Sequence, residues 1–152
     1  MKIRDANSQD INSIINLGKN VEEFDTTEKV VSFWPRHIIE NCINSKNDIL
    51  LVAEENNKLV GFIIVQNSIS FKKAVIENIF VHQDYRNKGI AQLLLHKAID
   101  KLKELKCEYI VTLVKEDNEK SIKFYLKNKF NKGINCRWLD FILSNKFSKL
   151  ST

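Results

Sequence analysis

Ile3 and Ala6 stand as apolar positions among the charged Lys2, Arg4 and Asp5, and Lys2 to Ala6 reads as a short opening strand. Asn7 or Ser8 then offers a helix cap, and Ile11, Ile14, Ile15 and Leu17 form an apolar stripe at helical spacing that ends near Gly18. Glu22 to Glu28 is acidic and irregular. Ile38, Ile39, Cys42 and Ile43 give the inner face of a second helix running to about Asn44; Pro35 suits its first turn, whereas Trp34 is a poor cap. Two apolar runs, Asp48 to Ala53 and Leu59 to Val65, flank the turn-forming Glu55-Asn56-Asn57-Lys58 and predict a hairpin. A third strand follows from Ala74 to His82. Between Gly89 and Leu105, Ile90, Leu94, Ala98, Leu102 and Leu105 recur at helical steps. Tyr109 to Val114 predicts another strand, and Asn118 to Lys129 another helix with Ile122, Phe124, Tyr125 and Leu126 along it. Arg137 to Ser144 reads as a closing strand, with room for one more short strand around Phe130 to Ile134. The order β-α-α-β-β-β-α-β-α-β is a mixed α/β pattern, not a regular βαβ alternation.

At 152 residues with 43% hydrophobic content the chain has the size and apolar share of one domain with one core. One proline and four glycines leave no flexible linker, so residues 1–152 are expected to form a single domain with a polar tail at about 145–152. The apolar runs are far shorter than a bilayer span and the first residues lack a signal peptide's apolar stretch, so a soluble, cytoplasmic protein without membrane attachment is expected. The three cysteines, Cys42, Cys107 and Cys136, cannot all pair and lack metal-knuckle spacing, which suits a reducing compartment. His37, His82 and His96 are isolated in sequence, and no metal site is expected from them.

Lys and Arg total 24 against 19 for Asp and Glu, a net charge of +5 that suits a polyanionic ligand without choosing one. The lysines are scattered and no interleaved aromatic-basic motif is present, so nucleic acid is not the expected partner. A phosphorylated cofactor suits the same charge. Arg86-Asn87-Lys88-Gly89-Ile90-Ala91 lies between a buried strand and an amphipathic helix, where unpaired backbone N–H groups and a partial positive charge can hold a phosphate. Gly89 and Ala91 leave room for close approach, and Arg86 and Lys88 can add charge-assisted contacts. The full dinucleotide fingerprint and the P-loop pattern are both missing. Without its context, the segment reads equally as a turn with a good helix start.

The stretch from Glu77 to Ala91 resembles the central motif of the GNAT superfamily of N-acetyltransferases, and Asn118 to Phe130 resembles that family's second motif. Ala91 stands where glycine is more usual, and Lys129 where the family often has glycine before Phe130. The hairpin and helices upstream match the same layout, so the resemblance covers nearly the whole chain. It implies a GNAT-like fold: a central mixed, mostly antiparallel sheet flanked by about four helices and splayed at the cofactor-binding central strand. It implies acetyl-CoA as cofactor. The backbone around Ile79, Phe80 and Val81 would pair with the pantetheine arm, and amides from Arg86 or Asn87 through Lys88, Gly89, Ile90 and Ala91 to Gln92 would hold the pyrophosphate. Asn118 and Ser121 would add contacts at the second motif, where Asn118 also suits a helix cap.

An attacking amine must lose a proton, and a carboxylate in the cleft is the simplest acceptor for it. Glu77, amid Ala74-Val75-Ile76 and Ile79-Phe80-Val81, is costly to bury without purpose; the alternative is an edge or bulge position where it reaches solvent. Tyr125 is the family's residue for protonating the departing thiolate, and its alternative is a packed core tyrosine. By the same resemblance the acceptor cleft is lined by the segment between the first two helices, which holds Glu22, Glu23, Asp25 and Glu28, and by the closing strands, which hold Trp138. An acidic lip would attract a cationic amine, although a solvated acidic loop has the same composition. Glu77, Tyr125 and Trp138 together resemble the diamine and polyamine acetyltransferases. The expected function is acetyl transfer from acetyl-CoA to a primary amine, whether a small molecule, a lysine side chain or a protein N-terminus, by direct attack in a ternary complex. The alternatives are a non-catalytic acyl-CoA-binding regulatory module and a small nucleic-acid binder. Similar proteins are frequently homodimers, but no stretch of the pattern marks an interface.

Overall fold

The structure, a computed structural model, describes residues 1–25 and 33–143. Its sheet holds β1 (Lys2–Asp5), β2 (Ile49–Glu55), β3 (Lys58–Ser68), β4 (Lys73–Val81) and β5 (Tyr109–Thr112) in that spatial order. The first three pairings are antiparallel and β4 with β5 is parallel. Period-2 alternation along β2 sends Leu51 and Ala53 to one face and Leu50 and Val52 to the other, so both faces need cover. Helices α3 (Ile90–Glu104) and α4 (Glu119–Lys127) cover the first face through Leu94, Leu95, Ala98, Leu102 and Tyr125. Helices α1 (Ile11–Gly18) and α2 (Arg36–Asn44) cover the second through Ile11, Ile14, Ile39 and Cys42, which pack with Phe62 and Ile64.

Local chemistry explains the element ends. Asn7 caps the turn before α1 in a reciprocal box: its side chain accepts from Gln9 N–H, and Asp10 Oδ2 accepts from Asn7 N–H at 2.8 Å. Asp10, 5% exposed, also receives both Arg4 guanidinium prongs at 2.7 and 2.9 Å, which ties the start of α1 to β1. Asn56 and Asn57 both adopt positive φ (50° and 59°), the backbone that a two-residue turn matched to strand twist requires. Pro35 stands just before the first residue of α2, and its carbonyl accepts the N–H groups of Ile38 and Ile39.

The strands, the hairpin and all four helices form where the pattern puts them, to within a few residues. The closing strand does not. Residues 130–143 adopt no helix or strand, and Ile134, Leu139, Phe141 and Leu143 are exposed; Ser144 lies outside the described residues. Apolar content and β-propensity describe a segment fit for a sheet, but a strand exists only when a neighbour takes its N–H and C=O groups. The proposed short strand at Phe130 to Ile134 is absent for the same reason. Among the described residues no helix is long and apolar enough to cross a membrane.

Candidate active site

The parallel pairing of β4 with β5 runs only from Lys73↔Tyr109 to Ile76↔Thr112, while β4 continues to Val81. The two strands therefore part after Ile76 and leave a V-shaped gap. Thr112 Oγ1 donates to Ile76 O at 3.1 Å and closes the apex of the V. His82 N–H bonds to Val60 O on β3, so by alternation Val81 and Ile79 turn their backbone groups into the gap and Phe80 turns its own toward β3. Arg86 Nε reaches back to donate to Val81 O at 2.9 Å, and its guanidinium lies 5.8 Å from the Phe80 ring centroid. That carbonyl is therefore taken, and the Val81 N–H and both Ile79 groups remain.

Beyond β4, Asn87 and Gly89 adopt left-handed φ of 62° and 77° on either side of Lys88. This curls the chain into the start of α3, where the first intrahelical bond runs from Leu93 N–H to Gly89 O at 3.0 Å. The N–H groups of Ile90, Ala91 and Gln92 therefore lack helical partners, and no side chain caps them. A Cβ at Gly89 would meet nothing within 4 Å, so the space in front of these amides is open. Donors, dipole and space together fit a pyrophosphate. Lys88 and Asn87 are exposed at its rim, Lys88 with its ammonium 5.1 Å from the Tyr85 ring centroid.

Glu77 occupies a β-bulge. Ile64 pairs with Asn78 and Val65 with Ile76, so Glu77 is the extra residue on β4. The bulge falls immediately after the last β4–β5 pair and sends Glu77 into a cavity of about 140 Å³ beneath α2. Burial pushes its carboxyl above the usual carboxylate range, which shifts it toward the operating range of a general base. On the opposite face, Tyr125 is 7% exposed in the α3-side core, edge-on to Phe124 and Phe130. Burial raises its phenol further, partly offset by a hydrogen bond with the Thr112 side chain, so Tyr125 stays protonated and able to donate. The pair thus approaches one strand junction from two sides.

The remaining predicted residues divide. Asn118 caps α4 by accepting from Ser121 N–H at 3.1 Å, both half-buried. Glu22 and Glu23 are exposed on a single 3-10 turn, Asp25 follows half-buried, and Glu28 lies outside the described residues. Lys115 Nζ donates to Glu22 O at 2.9 Å and ties this acidic turn to the segment after β5. Trp138, 52% exposed on the segment without secondary structure, does not line the Glu77 cavity. A different tryptophan does. Trp34 walls that cavity and donates through Nε1 to Asn78 Oδ1 at 2.6 Å. Its signal in the sequence was a large aromatic at the mouth of α2, beside the proline that starts the helix.

The family model of the Acetyltransferase (GNAT) family matches residues 17–130, spanning the gap, the amide cradle and α4. The chain belongs to this GNAT family. An acetyltransferase of Pectobacterium atrosepticum is 30% identical over 129 residues, covering 84% of this chain and 85% of that protein. A Methanocaldococcus jannaschii protein named as an N-acetyltransferase is 28% identical over 147 residues, covering 92% of this chain and 65% of its own length. Among solved structures, an aminoglycoside N-acetyltransferase in complex with CoA superposes with a TM-score of 0.74 at 15% identity, covering 93% of this chain and 99% of that one. The ribosomal-protein-S18-alanine N-acetyltransferase of Escherichia coli gives 0.71 at 20% identity, covering 88% and 79%. These two likenesses establish the GNAT fold, and the family match with the Pectobacterium relative makes the protein an acetyltransferase.

Proposed function

We propose that this GNAT protein transfers acetyl from acetyl-CoA to a primary amine by direct attack in a ternary complex. The carrying observation is the arrangement around the apex of the β4–β5 gap, with Glu77 on the α2 face and Tyr125 on the α3 face. The gap edge of β4 and the amides of Ile90 to Gln92 would hold acetyl-CoA, which would supply an acetyl group activated as a thioester. Backbone N–H groups on the gap edge of β4 stand ready to donate to an oxygen gaining negative charge, a contribution on the order of 3 kcal/mol per donor. Glu77 accepts the proton that the amine nitrogen loses as it bonds to the acetyl carbon. Tyr125 gives its phenolic proton to the departing sulfur. The two proton transfers occur on opposite faces of the sheet, so amine and cofactor can enter from different sides without crossing.

Replacement of Tyr125 by Phe tests this assignment. The ring stays in the core and the cofactor contacts are untouched, so coenzyme A affinity by calorimetry should change less than about twofold. Turnover should fall at least tenfold, toward the roughly 10²–10⁴ that a positioned proton donor typically contributes. Equal turnover in the two proteins would remove Tyr125 from the mechanism.

A further inference from the structure

Resting on the acetyltransferase reading above, we infer that the cavity walled by Trp34 selects its acceptor by size: a short alkyl ammonium arm that packs beside Trp34 and reaches Glu77. The cavity lies between α2 and the sheet with Ile38, Cys42 and Ile64 as further apolar walls, and Asp48 and Gln66 at one end. Those two residues also border a wider open trough of about 710 Å³ that runs over Phe71, Lys73 and Tyr109. The small space and the broad one thus share Asp48 and Gln66 as a border. Its volume of about 140 Å³ holds roughly four or five non-hydrogen atoms at about 30 Å³ each, the volume share of a water molecule. A straight chain of three or four carbons with a terminal nitrogen fits that count, and cyclohexylamine, with seven non-hydrogen atoms, does not.

The wall chemistry agrees. Methylene groups gain from contact with Ile38, Ile64 and the Trp34 ring, while a cation at the inner end meets the Glu77 carboxylate and an indole face. Cys42 adds no charge, because burial and then the nearby Asp48 push its thiol up to about 12. The hydrogen bond from Trp34 Nε1 to Asn78 Oδ1 fixes the ring to the residue beside Glu77, so the width of the passage and the position of the carboxylate are set together. Trp34 is thus a specificity-determining residue rather than a catalytic one. The shared chemistry of the ligand is an n-alkyl ammonium, supplied by a free alkylamine or by a lysine side chain whose peptide body occupies the trough.

The test uses the full chain with acetyl-CoA and a series of propyl-, butyl- and pentylamine, cyclohexylamine and a lysine peptide blocked at its N-terminus. KM for the straight amines should fall about fourfold per methylene until the passage is filled. Cyclohexylamine should be poorer by at least tenfold in kcat/KM. Trp34→Ala should flatten the chain-length series and raise KM for the straight amines, with KM for acetyl-CoA unchanged. Ile38→Phe, which narrows the passage from the other side, should shift the optimum to a shorter chain. A lysine peptide that outperforms pentylamine identifies the peptide source, and the reverse identifies a small molecule. Turnover independent of amine size would overturn the inference while leaving the acetyltransferase reading intact. A complete lack of turnover would overturn that reading instead, and binding then decides the inference separately. The chain has two tryptophans, so in a Trp138→Phe background Trp34 is the only fluorophore of its kind. Straight amines should perturb its emission saturably and cyclohexylamine should not; no response to any amine would overturn the inference.

Discussion

Glu77→Gln should make the enzyme slower and the fold more stable at the same time. The substitution keeps the size of the side chain and its place in the bulge, so neither the cavity wall nor the β4 register changes. It removes the group that accepts the amine proton. General-base catalysis typically contributes about 10²–10⁴ in rate, which at about 1.36 kcal/mol per decade is roughly 3–5 kcal/mol of barrier. Stability moves the other way. Burial raises the Glu77 carboxyl above its ordinary 4.5 in the folded protein, so the fold favours the protonated form. The stability associated with that proton is fully present below the unfolded value and is lost as pH rises through the higher folded value. At neutral pH the ionised carboxylate is therefore a liability that glutamine lacks. The assay is kcat/KM against pH by free-thiol release, paired with thermal melts at pH 4 and 7.5. The wild type should show a limb that rises with pH above the normal carboxylate range, and the variant should lose it. Tm of the variant should exceed wild type at pH 7.5 and converge with it at pH 4. A variant within threefold of wild-type rate, or one that melts lower at pH 7.5, would refute the reasoning.

Three further outcomes test the frame around the site. A Cβ at Gly61 would stand 2.7 Å from Phe80 O where ordinary contact begins at 3.4 Å, so Gly61→Ala must displace β4 by about 0.7 Å at the gap. Coenzyme A affinity by calorimetry should drop at least tenfold, and an unchanged value would show that β4 does not hold the cofactor. Gly89→Ala meets no atom within 4 Å but places a side chain at φ 77°, which costs about 1–2 kcal/mol of backbone strain; the same titration should register weaker binding with little change in kcat. Asp10→Ala removes two charge-assisted hydrogen bonds from Arg4, which keeps Glu54 as its partner at 2.8 Å, and should cost about 1.5–3 kcal/mol, read by urea melts. In the parent protein the Arg4 hydrogen bonds hold the Asp10 carboxyl below its ordinary 3.8, so its contribution is present above that pH and fades as pH falls through the lower folded value.

Most of the architecture was legible because local rules and tertiary needs agree. Asn56-Asn57 suits a turn that demands two left-handed residues, and the Ile90 to Leu102 stripe suits a helix that must cover a sheet. The uncapped amide turn at Gly89 was legible for a related reason, since a helix start is a local event and its amides need no distant partner. Glu77 and Tyr125 were found through motif position, but their relation across the sheet was not. It depends on the bulge, whose trace in the sequence is the adjacent polar pair Glu77-Asn78 breaking the alternation of a buried strand. Trp34 was passed over because what matters is its distance to Asn78, 44 positions away in sequence. The closing strand misled for the opposite reason: residues 137–143 are an apolar, β-prone run, and no neighbour among the described residues pairs with them.

The central claim, acetyl transfer from acetyl-CoA to a primary amine, is most directly measured by incubating the protein with acetyl-CoA and a primary amine and quantifying free thiol and N-acetylated product together. The account predicts equimolar release of the two, saturable in the amine and abolished when the amine is omitted. Tight coenzyme A binding with no thiol release above spontaneous hydrolysis, for straight-chain amines and lysine peptides alike, would contradict it and leave a cofactor-binding protein without the transferase step.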